Sequence, residues 1–491
     1  MSMYKHGTYG EFAASVGRIA AQAGTTAVYV GAAPVNLVRG YADAGIINVP
    51  VKLGSMVDVQ NKMGYSAAWD SFSLCEAFKA HFDNAAGSIG PIVAINVLDP
   101  DKHRSAEQTA VELTFANGRA TILSNTIILD TLVLTGKEEG TDYSVSYNHS
   151  AGKVIIDSVG SEKLTGTVSA TFSTVDPAAV TAEEVIGFAN DGVYSGFGVV
   201  SLVNQTLGLI PNIIAAPGWS HIPAVYEAMI SAATKINGHW DAVVIADIPL
   251  SDASGAVDTI SKAKTWKNDN GYISERAKVC WPKGRDIYGN IYHISTATVW
   301  EMLRTDATHD GIPMETPSNK PTFIAKQYFG EGSKNAGFDQ NSGNELNADG
   351  ITTVVFWGGR WVLWGPHTAA YKHGMVSDNR VIFDNSIRMM MHISNSFQSD
   401  WATEIDSPMT RAMADTIKNR EQEKADALSA MGAIIGTPIV RFVSAGASEA
   451  EIVEGNFEWS FEGTPTPPWK AGTMRVAYST DGFATYLGEE E

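Results

Sequence analysis

Apolar residues along this chain are grouped in two ways, as short continuous runs and as positions with helical spacing. Two of the runs are TTAVYVGAAP, from Thr25 to Pro34, and IVAINVLDP, from Ile92 to Pro100. Gly and Pro end the first run, and the second has the continuous apolar character of a strand that is covered on both faces. The positions with helical spacing are Phe72, Cys75, Phe78 and Phe82. The pattern therefore predicts a strand, a helix and a second strand.

Short strands separated by turns are predicted from about residue 101 to residue 177. Runs rich in Thr, Val, Ile and Leu alternate there with Gly, Asn and Asp. In DYSVSYNHSAGKVII, Tyr143, Val145 and Tyr147 alternate with polar residues before a Ser-Ala-Gly turn. Several strands at this spacing favour a small all-β domain. We expect it to be inserted into the surrounding α/β chain.

Strands alternate with helices again after this insertion. The apolar runs that predict buried strands are LIPNIIAAPG, HWDAVVIADIP and AKVCWP. Between the first two, one face of a predicted helix carries Val225, Met229, Ala232 and Ile236. Ser220 is the expected N-cap of this helix. The strand–helix–strand order predicts parallel neighbours joined by a crossover.

The segment ITTVVFWGGRWVLWGPHTAAY, residues 351–371, contains the most distinctive local signal. Gly358-Gly359 lies between two apolar runs, and adjacent glycines favour a tight hairpin because both accept positive φ angles. Trp357, Trp361 and Trp364 fall close together around this turn. Such aromatic residues can stack on a sugar or a base, but they are also the main anchors of protein cores and interfaces. We favour packing in a core or an interface.

The sequence around the hairpin predicts a loop before it and long helices after it. Residues 330–350 are rich in Gly and Asn, as loops are. Helical patterns follow the hairpin, and Ser407 and Pro408 are the expected N-cap and first-turn pair of the last long helix. Strand-like alternation returns in GNFEWSFEG and in TMRVAY. In TMRVAY, the residues on one face are Met474, Val476 and Tyr478.

Composition narrows the class of protein. The 491 residues are too many for one hydrophobic core and predict several domains. Apolar residues make up 44% and charged residues 18%, which is typical of folded soluble proteins. The net charge of −19 opposes nucleic-acid binding, because the phosphates are negative too. No run has the roughly 18 apolar residues of a membrane helix, and the start lacks the apolar core of a secretory signal, so we expect a cytoplasmic protein.

Motifs for catalysis or cofactor binding do not have the required spacing. GxGxxG after a strand and GxxxxGK[ST] are both absent, and GEGSKNAG resembles a phosphate loop only in composition. Ser220 lacks the glycine that a hydrolase nucleophile elbow requires two residues later. His367 and His373 are not spaced as metal ligands on one helix face, and the only cysteines, Cys75 and Cys280, are expected to be core residues. We therefore predict no enzyme activity, no metal and no cofactor.

Several motifs occur in an order that one protein family shares. KHGTYGEF precedes the first strand, and LRTDATHDGIPMETPSNKP, which contains Asp306, precedes the hairpin. The hairpin region fits a pattern of LN..GI followed by WG..T, and Arg388 lies on the long helix after it. The residues of the pattern are Leu346, Asn347, Gly350, Ile351, Trp364, Gly365 and Thr368. In this order of segments the chain resembles the contractile tail sheath proteins of tailed phages, phage-tail-like bacteriocins and related contractile injection systems.

The resemblance implies a structural subunit of a contractile sheath. Such subunits polymerise as stacked hexameric rings around an inner tube and contract to drive the tube through a target cell envelope. The implied partners are other copies of the chain, the inner tube protein, and baseplate and tail terminator proteins, with no nucleic acid and no direct membrane insertion. The implied location is a virion tail or tail-like particle that is assembled in the cytoplasm of the producing bacterium.

The resemblance also implies which residues carry assembly. Terminal arms add strands to sheets of neighbouring subunits. The expected arm residues are Tyr9, Glu11 and Phe12 at the N-terminus, and Met474, Val476 and Tyr478 at the C-terminus. Trp357 and Trp361 join the assembly-domain motif. Relatives bind their tube through the C-terminal domain, so a candidate tube contact is the basic set Arg411, Lys418, Arg420 and Lys424. An ordinary solvated helix with ion pairs along its surface is the alternative for this set.

Pattern and resemblance together predict a mixed α/β and α+β multidomain chain. The expected divisions are an N-terminal arm (1–24), a central α/β domain with parallel strands in two parts (25–100 and 182–330), an inserted all-β domain (101–181), an α+β C-terminal assembly domain (331–472) and a C-terminal arm (473–491). Two alternatives to a sheath subunit remain. One is a hydrolase-like α/β enzyme with an aromatic substrate site, and the other is a different virion assembly protein, such as a tube or capsid subunit.

Overall fold

The computed structural model describes residues 24–159, 163–333, 337–375, 378–443 and 452–487. The predicted N-terminal arm residues, Tyr9, Glu11 and Phe12, lie outside these ranges. Within the ranges, no helix is both long enough and apolar enough to cross a membrane.

The first half of the chain begins with alternating strands and helices and continues with strands. The elements are β1 (Ala27–Gly31), α1 (Tyr41–Ala44), β2 (Pro50–Leu53), α2 (Met56–Lys62), α3 (Leu74–Phe82), β3 (Ile92–Asn96), β4 (Thr109–Phe115), β5 (Arg119–Leu123), β6 (Val133–Leu134), β7 (Tyr143–Asn148), β8 (Lys153–Ser158) and β9 (Gly166–Phe172). Short 3-10 helices cover Val35–Leu37, Leu129–Thr131 and Pro177–Ala179.

The second half alternates again and ends with long helices. Its elements up to residue 328 are α4 (Ala182–Ile186), β10 (Gly187–Asn190), β11 (Val193–Gly196), α5 (Val203–Leu207), β12 (Ile213–Ala215), α6 (Pro223–Ala232), β13 (Val243–Asp247), β14 (Ser251–Asp252), β15 (Gly255–Ala256), α7 (Ile260–Asp269), β16 (Ala277–Cys280), β17 (Lys283–Arg285), β18 (Ile291–His293), α8 (Ile294–Ala307) and β19 (Lys326–Tyr328). The last elements are α9 (Gln340–Asn347), β20 (Ile351–Trp357), β21 (Arg360–Trp364), α10 (Asp384–Asp400), α11 (Arg411–Ala430), β22 (Ile434–Phe442), β23 (Trp459–Pro465) and α12 (Gly482–Leu487). Further 3-10 helices cover Phe197–Leu202, Asn379–Val381 and Ala402–Glu404.

A largely parallel sheet forms the centre of the fold. Among the described residues its strand order is β2-β3-β1-β12-β13-β16-β20-β21, and only β2 and β21, at the edges, run antiparallel to their neighbours. β1, β3, β12 and β13 are buried along their whole length, which explains why their sequences are continuous apolar runs. α6 connects β12 to β13, and α7 lies between β13 and β16. The prediction of buried parallel strands with helical connections is confirmed.

The strands between β3 and α4 form a unit with its own core. They make two antiparallel sheets, with strand orders β4-β9-β6 and β5-β8-β7. Leu134, Tyr143, Ile156 and Phe172 pack in a core that is separate from the core of the central sheet. β7 and β8 form the predicted hairpin, and Gly152 takes a φ of 63° in its turn. Antiparallel sheets need no crossover helices, so such a unit can be placed between two strands of an α/β sheet.

The tryptophan hairpin extends the central sheet at one edge. β20 pairs in parallel with β16 and in antiparallel with β21, and Gly358 and Gly359 take φ angles of 58° and 80° in the turn. The predicted hairpin is confirmed. The sequence predicts a C-terminal unit of residues 331–472, and within that range the hairpin belongs to the central sheet, where Val354 and Leu363 pack in the central core. Local sequence does not reveal a parallel partner that is distant along the chain.

The remaining C-terminal elements pack on one another. α10, α11 and the antiparallel pair β22–β23 surround a small core of Met389, Ala433 and Ile434. Ile393 of α10 and Leu428 of α11 pack against this core. The predicted long helices and the strand in GNFEWSFEG are therefore present.

Two of the predicted helix N-caps are wrong. α6 begins at Pro223 with Ile222 as its N-cap, while the hydroxyl of Ser220 is bonded to Asp247 instead. α11 begins at Arg411, and the hydroxyl of Thr410, not of Ser407, accepts a hydrogen bond from the backbone of the first turn. In both cases several polar residues precede the helix, and only the tertiary fold decides which one is in position.

The predicted loop at residues 330–350 contains a helix. Asp339 accepts hydrogen bonds from the backbone N–H groups of Asn341 and Ser342, both at 3.0 Å, and so caps the N-terminus of α9. Leu346 anchors the other end in the central core. The many Asn and Gly residues obscured this helix, because they have low helix propensity and are stabilised here by the cap and by packing.

Glu301, in the middle of α8, is a buried carboxyl group with a raised pKa. Burial raises its pKa from 4.5 to about 7, partly offset by Arg304 and Thr305. Because the folded-state pKa is the higher one, the stability linked to it is present below pH 4.5 and is lost as the pH rises through about 7. We predict that Glu301→Gln, which does not titrate, gains about 3 kcal/mol of stability relative to the wild type across this range. Urea unfolding at several pH values measures the difference, and a difference that is constant with pH contradicts the prediction.

Candidate assembly interface

Asn347, at the end of α9, ties the tryptophan hairpin to the helix before it. Its side-chain nitrogen lies within hydrogen-bond distance of three carbonyl oxygens, those of Gly343 at 2.7 Å, Trp364 at 3.1 Å and Ile351 at 3.3 Å. Leu346, beside it, is fully buried. A buried amide with several partners fixes the position of each chain segment that it touches. The Leu-Asn pair of the motif therefore holds β20 and β21 in place.

The two glycines of the motif are required by close backbone contacts. Gly350 has a φ of 66°, and a Cβ there would lie 2.4 Å from the carbonyl oxygen of Thr368. Gly365 has a φ of 142°, and a Cβ there would lie 2.9 Å from the Cα of Thr352. Neither position has room for a side chain. Thr368 in turn donates a hydrogen bond to the Val381 carbonyl. The motif residues therefore pack closely together.

The tryptophans of the hairpin lie at its surface, with Trp361 and Trp364 half-buried and Trp357 exposed. Trp364 donates from its indole nitrogen to the side-chain oxygen of Asn344 at 2.9 Å, and its ring centroid lies 6.0 Å from that of Trp357. Phe356 and Trp361 form a T-shaped pair on the other face, with centroids 5.7 Å apart. Phe356 is 56% exposed and Trp357 is 47% exposed. The hairpin thus has a packed base and an apolar tip that faces solvent.

Two buried ion pairs join α10 to the central sheet. Arg388 of α10 pairs with Asp306 at the end of α8, and the hydroxyl of Thr25 donates to the same carboxylate. Lys278 of β16 lies 2.7 Å from Asp384 of α10. The side chains of the four charged residues are at most 5% exposed. An isolated charge in such surroundings is costly, so each of these groups depends on its partner.

Two asparagines of α10 complete this joint. The side-chain nitrogen of Asn385 donates to the carbonyls of Met314 and Thr466, each at 3.0 Å. Asn395 accepts from the backbone N–H of Asp241 at 3.0 Å and donates to the carbonyl of the same residue at 2.8 Å. Directional contacts of this kind hold the helix at one register on the sheet. Since α11 and β22–β23 pack on α10, their placement follows from the same contacts.

The sheet formed by β22 and β23 has two different edges. Along β22, the side-chain amide of Gln422 in α11 accepts from the N–H of Val440 at 2.8 Å and donates to the carbonyl of Pro438 at 2.9 Å. Gln422 therefore occupies part of the place of a partner strand. No strand among the described residues pairs with the other edge, that of β23. The edge of β23 can accept a further strand.

A groove of about 740 Å³ lies between α10, α11 and the β22–β23 pair. Ile393 and Phe397 of α10 line one wall, Leu428 and Met431 of α11 line another, and Phe461 of β23 contributes to the floor. An added strand has side chains that alternate between two faces. Those on the inner face would enter this apolar groove.

The segment after β23 contacts the body of the chain at Lys470 and carries exposed side chains beyond it. The ammonium group of Lys470 lies 5.5 Å from the centroid of the Tyr371 ring. Residues 473–479, which follow, belong to no helix or strand. The exposed fractions of the predicted arm side chains are 87% for Met474, 84% for Val476 and 81% for Tyr478. A group of exposed apolar side chains at alternate positions indicates a surface that another molecule covers.

Two solved structures have the same fold as this chain over nearly its full length. A chain of the anti-feeding prophage baseplate matches it with a TM-score of 0.52 and 14% sequence identity, over 98% of this chain and 100% of that chain. A chain of the PVC sheath complex of an extracellular contractile injection system, in the contracted state, matches with a TM-score of 0.54 and 10% identity, over 98% and 99% of the two chains. The chain has the fold of a contractile sheath protein. Models of protein families give no match, and neither do curated protein sequences.

The sheath fold confirms the resemblance that was based on ordered motifs. The agreement spans 98% of this chain with each of the two structures, which is more than the local motifs cover. At this level of sequence identity, the comparison establishes the fold, while the role of each residue must be argued from the geometry.

The candidate tube-contact helix of the sheath fold is not purely basic. α11 contains four acidic and four basic side chains. Arg411 lies 3.1 Å from Asp415, one helical turn away, and Lys424 lies 2.6 Å from both Asp400 and Glu421. Two of the four candidate residues are therefore neutralised within the chain. The described residues provide no ion pair for the other two, which are Lys418 and Arg420.

The residues that the hydrolase alternative requires are not arranged for catalysis. Ser220 is 1% exposed, and its hydroxyl accepts a hydrogen bond from the backbone N–H of Asp247 at 3.1 Å. Both cysteines are fully buried, and burial raises the pKa of the Cys75 thiol to about 12. His367 stacks on Tyr371 with centroids 3.5 Å apart. These side chains pack in the interior, as expected for the cysteines.

Sequence reasoning missed some residues that are central to the joint. Lys278 is a charged residue within the apolar run AKVCWP, and this exception was the available signal for a buried ion pair. Gln422 and Asn395 gave no signal, because polar residues are ordinary on an amphipathic helix.

We predict that Arg388→Met destabilises the folded chain by about 3–5 kcal/mol, because it leaves the Asp306 carboxylate buried without its partner. Chemical denaturation followed by circular dichroism measures this loss. Arg119→Met is the matched control, since Arg119 and Asp157 form an exposed pair on the inserted unit and should contribute little. Equal effects of the two substitutions would show that burial of the Arg388–Asp306 pair does not matter.

Proposed function

We propose that this chain is the repeating subunit of a contractile sheath and has a structural, non-enzymatic role. The observation that carries the proposal is the match of 98% of the chain to a chain from a sheath complex. The open edge of β23 and the exposed C-terminal segment support it. A subunit that polymerises by strand exchange needs a segment that can be donated as a strand and a sheet edge that can accept one.

Strand exchange between copies is the proposed mode of assembly. The C-terminal segment, residues 473–479, is the donor, and the edge of β23 is the acceptor. Main-chain hydrogen bonds supply the affinity, and alternate side chains entering the groove beside Phe461 fix the register. Met474, Val476 and Tyr478 provide apolar side chains at every second position. The N-terminal arm, with Tyr9, Glu11 and Phe12, is proposed as a second donor.

Hexameric rings stacked around an inner tube are the proposed arrangement. The baseplate that matches this chain is described with six-fold symmetry, and the matching sheath complex is in a contracted state. Two packings of one lattice are sufficient for contraction, through rigid-body movement of subunits that remain linked by their arms. The proposed partners are further copies of the chain, the inner tube protein, and baseplate and terminator proteins.

The proposal predicts that the C-terminal arm matters for the lattice and not for the fold. Deletion of residues 473–491 should leave a soluble subunit with the melting temperature of the full chain, and it should abolish long striated sleeves in negative-stain electron microscopy. Val476→Pro should have the same effect, since proline removes a ladder donor and fixes φ.

Val476→Thr is the matched control for the proline variant, because it keeps both the backbone N–H and the β-branched side chain. It should form sleeves like the wild type. Sleeves of normal length from the deletion variant would refute strand donation by this arm. Dispersed particles from the intact chain, under conditions where it is folded and concentrated, would count against the sheath function itself.

The unpaired basic residues of α11 are the proposed contact with the inner tube. Lys418→Glu combined with Arg420→Glu should prevent sheath assembly on isolated tubes, because it places negative charge where the partner is expected to be acidic. Co-sedimentation with tubes at moderate salt measures binding. Lys137→Glu combined with Lys153→Glu, at exposed positions of the inserted unit, is the control of equal charge change. Normal binding by the α11 variant would place the tube contact elsewhere.

A further inference from the structure

A second large cavity lies at the carboxyl ends of the central parallel strands. Its volume is about 780 Å³, and its lining includes the segments that follow β12 and β13. β1 has β3 on one side and β12 on the other, so the order of strands reverses direction along the chain between β1 and β12. In open α/β sheets, ligands bind outside the carboxyl ends at such a switch point. This cavity is far larger than a packing defect and falls in the range of small-molecule sites.

At the switch point, a single hydroxyl group bridges the segments that follow β1 and β12. Ser73 accepts a hydrogen bond from the backbone N–H of Ala32, just after β1, at 3.2 Å. It also accepts from the indole nitrogen of Trp219, just after β12, at 3.1 Å. The ring of Trp219 and that of Trp69 both line the cavity. Indole rings present flat apolar surfaces, and such surfaces favour a ligand that contains a ring.

The carboxylates at the floor of the cavity are already occupied. Glu76 accepts from the backbone N–H and from Nδ1 of His293, each at 2.7 Å, and from the hydroxyl of Thr296. Asp247 accepts from the backbone N–H of Ser295 at 3.0 Å. These bonds engage oxygen atoms of both carboxyl groups.

Two donors that line the same cavity have no such partners. The charge of Lys283 helps to lower the pKa of Glu76, but the described residues provide no hydrogen bond or close ion pair for the ammonium group of Lys283 or for the imidazole of His221. Burial, together with the nearby charges of His293 and Lys283, lowers the pKa of His221 to about 4, so this imidazole is neutral at pH 7. A neutral imidazole still donates one hydrogen bond, and the ammonium group has three to offer.

We propose that this cavity binds a small anion that carries a ring, with its carboxylate or phosphate oxygens on Lys283 and His221 and its ring against Trp69 and Trp219. Charge-assisted hydrogen bonds to the anion would satisfy donors that the chain leaves free. This site goes beyond the sheath role and does not depend on it, since it lies in the α/β centre, away from the edge of β23.

The test uses three probes on the full-length chain, namely indole-3-acetate, phenyl phosphate and the uncharged indole-3-ethanol. Saturation-transfer NMR detects contact and isothermal calorimetry gives the dissociation constant. At least one of the two anions should bind, and indole-3-ethanol should bind about tenfold more weakly, because it lacks the charged acceptor. The anion that binds more tightly shows whether the site prefers a carboxylate or a phosphate. Failure of both anions to bind at millimolar concentration overturns the proposal, as does equal binding of indole-3-ethanol.

Substitution then places the binding in this cavity. Lys283→Met should weaken anion binding about tenfold or more, while Lys137→Met, at an exposed lysine of the inserted unit, should not change it. His221→Phe, which keeps a ring but removes the donor, is a second variant in case Lys283→Met does not fold, as judged by its melting curve. Unchanged affinity in a folded Lys283→Met variant, or in a folded His221→Phe variant, shows that the substituted side chain does not bind the anion. Unchanged affinity in both variants overturns the proposed site.

Discussion

The buried ion pair between Arg388 and Asp306 connects the two halves of the fold. Asp306 ends α8, which packs on the central sheet, and Arg388 belongs to α10, on which the C-terminal elements rest. The pair is hidden from solvent, so a shift of the halves that breaks it while both groups stay buried leaves two unpaired charges in the interior. A different position of α10 on the central sheet would break it, and α11 and β22–β23 pack on α10. The orientation of the candidate assembly surface is therefore set by this contact.

The proposed assembly surface depends on an imbalance between the two edges of one small sheet. Gln422 covers part of the edge of β22 with its own amide, and the edge of β23, a strand that helps to line an apolar groove, is left open. Natural sheets usually protect their edges, because an open edge recruits other strands without selection. When only one of the two edges of a sheet is open, a further strand can add at that edge alone. A lattice of identical subunits requires such direction, because growth must add copies in one geometry.

Much of the fold could be predicted from local sequence, and the reasons for failure are specific. The buried strands β1, β3, β12 and β13 were recognisable because burial on both faces produces continuous apolar runs. The hairpin at Gly358-Gly359 was recognisable because its turn needs positive φ at both positions. The caps at Ser220 and Ser407 were misassigned, since several polar residues preceded each helix. The candidate assembly residues were proposed largely from the resemblance, and the geometry added Gln422 and the joint around α10 as further candidates.

The sequence by itself determined the buried strands of the central sheet, the all-β character of the insertion, and the absence of familiar catalytic motifs. Each of these follows from periodicity or spacing over a few residues, which the chain carries locally. Only the tertiary structure decided that β20 lies beside β16, that Lys278 meets Asp384, and that Ser73 joins the ends of β1 and β12. These contacts join residues far apart along the chain. They depend on how complete elements pack, and packing is selected by the total burial and polar pairing of the whole chain rather than by any single segment.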